Sequence, residues 1–564
     1  MPRLRTLLQK HLFTVFVVVL MTAVFLYMRQ TVAGLRYPYD PDLYRDIAQG
    51  NSVRAGNFFG DVDYAGEMNF YNPLLSWILA ALSWVSGKSV TVIATQGGLI
   101  LNLLGPVAFA ILVRRWFGRL AAGFALVAML FVVCANYPSW AIATYSPWLF
   151  HVSFAQGLFY LALLAIPNAL RGARRRDPVI LGAMMGIVAL AHSAPALIVV
   201  AVYLIAVLSH QRTEALPWPV VARLVATTGA TAMTVASPLI VPLVWAYHLQ
   251  VQNEAPGSWN WLEIAPDSIG HFALRFFGRW EIAVAAIGLA IWWWRERRTV
   301  AIDHRRITAA WTGVSLVLLG LVTYAATTLP MAEWIPSIVP SYHYLFYFSA
   351  AVCVWFGVGC AALVRTVGTV GSASRLAAPI PITAAVLAAV LVWASVPTWL
   401  ARDDFVKARA QGIELAEDHA HFAVSAWISE NTKTSDVILY DLGASGLPAN
   451  LGASDLSALT VGYLDGRPTV VQHKVFGNPF VDWDRRNTDS QLMLTALAGC
   501  RLDEFGAIAR RYGVHHVVTA TGGPLGASTA GCAGVRVVYR DSFASVLRIE
   551  PPKQPKSQGS RVSE

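Results

Sequence analysis

Apolar residues fill the first 400 positions in long blocks separated by short polar connectors, and the pattern changes after that. Eleven blocks, at 12–28, 90–113, 119–135, 148–166, 178–192, 195–209, 220–245, 280–294, 307–328, 343–364 and 380–400, meet or approach a membrane-spanning length. A hydrocarbon core of about 30 Å asks for roughly 20 such residues per helix. The stretch 73–86 is apolar but short, and it lies between the turn signals Asn72-Pro73 and Ser86-Gly87. It reads as a half-inserted or interfacial helix. The pattern predicts a polytopic α-helical membrane domain over 1–400 with about eleven spans and a first external loop at 29–89.

From 401 the periodicity is that of a water-exposed fold. An amphipathic helical stretch at 404–431 precedes strand-like runs at Val437–Tyr440, Thr469–Gln472, Val514–Ala520, Arg536–Tyr539 and Ala544–Ile549, with helical runs at 488–499 and 502–512. Alternating strands and helices predict a small α/β domain over 401–550, followed by a Pro/Ser/Lys-rich tail, 551–564, expected to be disordered. The first block should persist as a signal anchor, because Tyr27-Met28-Arg29 is no cleavage site.

Charge sharpens this layout. Only 13% of the 564 residues are charged and 56% are hydrophobic, which excludes an ordinary soluble protein. Residues from 401 onward carry 17 Lys+Arg against 18 Asp+Glu, leaving 26 against 15 for the membrane half. The basic excess therefore reports topology, and nucleic-acid binding is not expected. With the N-terminus in the cytoplasm, 19 of those 26 basic residues fall on inside connections, including Arg114, Arg115 and Arg119, the 171–176 cluster and Arg295 to Arg306. An odd number of spans then puts the α/β domain outside. Of five cysteines, Cys134, Cys353 and Cys360 lie in apolar runs as packing residues. Cys500 and Cys532 are a candidate disulfide if their domain faces an oxidising compartment.

The candidate chemistry gathers where the first block ends. Tyr37-Pro38-Tyr39-Asp40-Pro41-Asp42-Leu43-Tyr44-Arg45-Asp46 packs three carboxylates, three tyrosines and an arginine into ten residues. Asp40 before Pro41 has the form of a helix N-cap with proline at the first helical position, and Asp42 then favours the first turn. A carboxylate fixed in that way at a membrane edge can also act as general base on a hydroxyl. Later in the same loop Asp61, Asp63 and Glu67 form either an ordinary solvated acidic loop or a set of ligands. His192, in the break His192-Ser193-Ala194-Pro195, either satisfies that break or contacts a ligand. Arg275 and Arg279, four apart among aromatics, are anion contacts or interfacial anchors. Trp259-Asn260-Trp261 fits an aromatic belt at the membrane surface.

A long first external loop opening with acids, many spans and an external C-terminal domain resemble the GT-C superfamily of membrane glycosyltransferases. Asp40-Pro41-Asp42-Leu43-Tyr44 is similar to the Asp-Pro-x-Tyr start of several members, and Phe70-Tyr71-Asn72-Pro73-Leu74-Leu75 to their Tyr-x-Pro-Pro-Leu segment. Leu190-Ala191-His192-Ser193 resembles a small-residue-plus-His segment, and Ser341-Tyr342-His343-Tyr344-Leu345 stands where many have an Arg-Tyr pair, with His343 in place of the arginine. The Trp-Trp-Asp-Tyr-Gly sequence of oligosaccharyltransferases is absent.

The resemblance implies inverting transfer of a sugar from a polyprenyl-phosphate donor to a lipid, polysaccharide or protein acceptor outside a bacterial plasma membrane. It makes Asp40 the base, with Asp42 as second choice. It also makes Arg275, Arg279, His343 and Arg45 contacts for the departing phosphate. Asp61, Asp63, Glu67 and His192 become contacts for sugar or acceptor, or for a divalent cation such as Mg or Mn. Two other classes remain open: a transporter or flippase, disfavoured because the spans hold almost no ionisable residue besides His192, and a non-catalytic envelope assembly protein.

Overall fold

The computed structural model describes residues 2–133, 142–171, 174–253, 278–328, 339, 341–372, 380–415, 420–441, 464–471, 477–542 and 544–550. The first apolar block lies on α1 (Pro2–Val32), after which α2 (Pro41–Arg54) begins at Asp40. Asp40 is the N-cap: its backbone is extended and its carboxylate accepts from the Asp42 amide, while Pro41 and Asp42 complete the first turn. Tyr44, Ile47 and Ala48 recur on one face of α2 and are buried against Leu75, Leu79, Val90 and Phe154.

Next come α3 (Leu74–Ser86), α4 (Val90–Gln96), α5 (Gly98–Leu101), α6 (Leu104–Phe117) and α7 (Arg119–Val127). Beyond them lie α8 (His151–Arg171), α9 (Arg176–Ala191), α10 (Ser193–Glu214), α11 (Trp218–Val241), α12 (Trp280–Arg295), α13 (Ile302–Thr328), α14 (Ser341–Ser372) and α15 (Ile380–Leu415).

Among the described residues seven helices are long and apolar enough to cross a membrane, and an eighth span results if the bent pair α3–α4 counts as one. The chain is a mostly helical, multi-pass membrane protein. Of the remaining predicted blocks, 119–135, 178–192 and 280–294 carry shorter helices, and 307–328 carries α13, which is long but not among the seven. The turn signal at Ser86-Gly87 holds a real break: Gly87 takes a left-handed conformation (φ 70°), Ser89 caps a new helix at Val90, and α3 and α4 meet at 113°. The predicted continuous span at 90–113 is corrected, because α4 ends at Gln96 and pairs with α3. The crossing helix lies over Gly98–Phe117 instead.

α14 and α8 form the centre of the bundle, with 83% and 72% of their apolar windows buried, whereas α1, α11 and α15 have 17% buried and lie at its edge. Small residues permit the closest helix approach. A Cβ on Gly359 would collide with the Ala285 carbonyl of α12, and one on Gly288 with the Gly359 carbonyl.

No break marks residue 401, because α15 continues from Ile380 through Leu415. The C-terminal sheet has strand order β1-β2-β4-β3, from β1 (Val437–Asp441), β2 (Val514–Ala520), β3 (Val535–Arg540) and β4 (Ala544–Ile549). β1 and β2 are parallel, and the other pairs are antiparallel. One face is covered by α17 (Trp483–Ala498) and α18 (Leu502–Tyr512), the other by α16 (Ala420–Asn431). Cys500 and Cys532 are joined as a disulfide, with Cα atoms 5.4 Å apart.

Of the expected strand at Thr469–Gln472, the described residues 469–471 form a single bridge, between Thr469 and Ile438, and Gln472 lies outside the described residues. The other edge of Thr469 is taken by the first loop: its amide donates to the Val62 carbonyl (3.1 Å) and its carbonyl accepts from the Ala65 amide (2.7 Å). Around this seam Asn478 donates to Asp61 (2.9 Å) and Arg486 pairs with Glu67 (2.7 Å). The Asn51 amide of α2 donates to the Leu464 carbonyl (3.1 Å) beside Gly466, whose φ of 66° allows the close approach. The first loop is thus held between the helical bundle and the sheet domain.

Replacing Gly359 by leucine should prise α12 from α14 and cost about 1–3 kcal/mol, read as a lower unfolding temperature of the detergent-solubilised protein. Burial raises Asp61 to about 6 despite its bond from Asn478, and it raises Asp465 to about 7 despite Tyr440. A carboxyl whose folded pKa exceeds its unfolded one binds more protons when folded, so its stabilisation falls as pH rises through that interval. The share of the unfolding temperature that these two groups carry should therefore rise between pH 7.5 and pH 5.5. Asp61→Asn and Asp465→Asn should each flatten that slope, and an unchanged slope in both would contradict the assignment.

Candidate active site

The N-terminal turns of α2 present Asp40, Asp42, Arg45 and Asp46 toward the loop that carries Tyr71 and toward the starts of α8 and α10. Arg45 reaches back to Asp42 at 3.3 Å and across to Asp46 at 3.4 Å. Its guanidinium lies 4.0 Å over the Tyr71 ring. On the other side of Asp46, His151 Nε2 stands 3.2 Å from the same carboxylate oxygen, and both side chains are only 4% exposed. The second ring nitrogen of His151 lies 3.0 Å from the Ala191 carbonyl, where α9 ends. Tyr71 packs edge-on against the His151 ring at 4.8 Å.

These contacts set the charges. Burial pushes Asp46 upward, but His151 and then Arg45 outweigh it and hold the carboxyl below its ordinary range. Asp42 goes the other way. Water lost on its cleft side and the like charge of Asp46 outweigh the pull of Arg45, although 40% of its side chain remains open. Asp42 is the exposed acid of the group and Asp46 the buried one.

The break between α9 and α10 adds a second layer. His192 accepts from the Ala194 amide at 3.1 Å as the N-cap of α10. Asn72 donates to the Ala189 carbonyl (2.6 Å) and to Ser193 (3.2 Å), which ties the Tyr71-Asn72 turn to the same break. The His192 ring lies 4.5 Å from His343, and His343 lies 4.3 Å from Tyr342. His343 Nδ1 is buried without a hydrogen bond among the described residues. The charges of Asp40, Asp42 and Arg45 reach Tyr342, and those of Arg45 and His151 reach His343, so the start of α14 closes this side.

Five of the residues singled out in the sequence, Asp40, Asp42, Arg45, His192 and His343, therefore belong to one neighbourhood. Asp61 and Asp63 line a small cleft that also holds Arg45, Asp46, Asn69 and Tyr71. Asp61 is bonded to Asn478 and Glu67 is paired with Arg486. Arg279 turns elsewhere: it pairs with Glu281 (2.8 Å) and donates to the Val132 carbonyl (2.8 Å). Arg275 and Trp259-Asn260-Trp261 lie outside the described residues.

Among the described residues no three His, Cys, Asp or Glu side chains converge to hold a metal ion. Of the α2 carboxylates, Asp42 pairs with Arg45, and Asp46 with Arg45 and His151. His151 is the residue that sequence reasoning missed. Its one signal is an ionisable side chain inside the apolar run 148–166.

No protein-family model and no curated protein matches the chain by sequence. Solved structures do match. ArnT from Cupriavidus metallidurans in the apo state superposes with a TM-score of 0.52 at 16% identity, covering 94% of this chain and 97% of that one. The apo oligosaccharyltransferase of Archaeoglobus fulgidus gives 0.51 at 12% identity, over 97% of this chain and 76% of its own. Mycobacterial arabinofuranosyltransferase AftD gives 0.51 at 12% identity, over 94% of this chain but 39% of its own length. At such identities the likeness concerns architecture, and the architecture they share with this chain is the GT-C fold.

Proposed function

We propose that the chain is a membrane glycosyltransferase that moves a sugar, with inversion, from a polyprenyl-phosphate donor to a cell-envelope acceptor on the outer face of a bacterial plasma membrane. The observation that carries this reading is the cluster on α2: an open acid, a rigid capping acid and an arginine gathered at one cleft within a GT-C fold. ArnT, whose fold it shares, has also been solved with undecaprenyl phosphate bound, at a TM-score of 0.50 and 16% identity. Eleven spans with the N-terminus in the cytoplasm would place the cluster and the α/β domain on the outer side, as the distribution of basic residues favours.

In this reading Asp40 takes the proton of the acceptor hydroxyl as its oxygen bonds to the anomeric carbon from the face opposite the phosphate. The glycosyl–phosphate bond breaks, and the lipid phosphate leaves with the electron pair. Arg45 supplies positive charge for that phosphate, and the neutral His343 ring a hydrogen-bond donor. Capping gives Asp40 a fixed orientation, which favours it over the more mobile Asp42. Asp61, Asp63 and His192 stand near enough to contact the sugar.

Asparagine caps a helix as well as aspartate does. Asp40→Asn should therefore leave folding intact while transfer from a polyprenyl-phosphate sugar falls by about 10²–10⁴-fold. Asp42→Asn should fall less. Retained transfer in Asp40→Asn with loss in Asp42→Asn would pass the base to Asp42, and retention in both would remove α2 from the chemistry.

A further inference from the structure

His151 faces two groups that offer it only acceptors. The Ala191 carbonyl at 3.0 Å requires a proton on Nδ1. Its Nε2 is buried 3.2 Å from Asp46 Oδ1, outside good hydrogen-bond geometry, and Arg45 donates to that same oxygen. The cluster holds three carboxylates, Asp40, Asp42 and Asp46, around one arginine, and His151 meets the one among them that is buried.

The contacts also link three elements that are far apart in the chain. His151 opens α8, Asp46 belongs to α2, and Ala191 ends α9. Its ring further supports Tyr71, which carries Arg45 on its face.

We propose that His151 is a positioning residue for the transfer site: buried against the Asp46 carboxylate and the Tyr71 ring, it holds Asp46 and Arg45 in place toward Asp42, keeping the cleft receptive to a lipid phosphate. It acts through Asp46 and Arg45 rather than by touching substrate. This rests on the transferase reading above.

The test is a double-mutant cycle on the full-length protein, with His151→Phe, Asp46→Asn and the pair together. Phenylalanine keeps a ring against Tyr71 but removes both ring nitrogens. The probe is undecaprenyl phosphate, with its binding constant and the transfer rate read separately. His151→Phe should weaken binding of the probe about 10-fold or more, and the double variant should recover most of that loss, a coupling within the range seen for contacting pairs. Wild-type-like binding by His151→Phe, or a double variant no better than the single one, would overturn the proposal while leaving the transferase reading standing. If the wild-type protein itself fails to bind the probe, the transferase reading fails first. The same cycle in unfolding temperature then decides: strong coupling between positions 46 and 151 upholds the pairing, and additive losses reject it.

Discussion

Asp46 is a carboxylate almost wholly withdrawn from water at the meeting point of α2, α8 and the first loop. A charge in that position is tolerated only with partners close at hand. Arg45 and His151 provide them, and each does so from a different direction. Satisfying one buried acid thus fixes the facing of α2, the orientation of an arginine and the start of a central membrane helix. Tyr71 completes the arrangement by lying against both partners, its face under Arg45 and its ring steeply inclined to that of His151. The open acid, Asp42, inherits its place from this frame.

The same loop is restrained from the other side. Thr469 shares its two edges between the first strand and the Val62–Ala65 segment, so the loop behaves as an irregular extension of the C-terminal sheet. Asn478 adds a bond to Asp61, and Arg486 adds a charge pair to Glu67 and two contacts to the Ala65 carbonyl. Two otherwise separate cores are joined through polar groups of a single loop. The acids of that loop serve the seam as much as the cleft.

The local features were legible in the sequence, and the long-range ones were not. Asp40-Pro41-Asp42 reads directly as a cap and first turn because an N-cap involves only its own next few residues. Apolar blocks place the helices for the same reason. The break at Gly87–Ser89 shows as a turn signal, whereas the end of α4 at Gln96 lies inside an apolar run whose hydrophobicity continues into Gly98–Phe117. Asp46 and His151 are 105 residues apart, and no periodicity connects them. Asp61 and Glu67 look solvated in one dimension because Asn478 and Arg486 lie more than 400 positions away. Thr469–Gln472 has strand-like composition, yet its hydrogen-bonding edges were claimed by a loop whose sequence gives no hint of pairing.

α15 is 36 residues long, about 54 Å of helix at 1.5 Å per residue. A bilayer core accounts for about 30 Å of that. The remainder is braced rather than free: Thr31 at the end of α1 donates to Asp403 (3.3 Å), and Lys407 one turn on donates to Tyr27 (3.1 Å). The last long helix of the membrane domain is therefore clamped to the first at one end, so a load on either is shared by both.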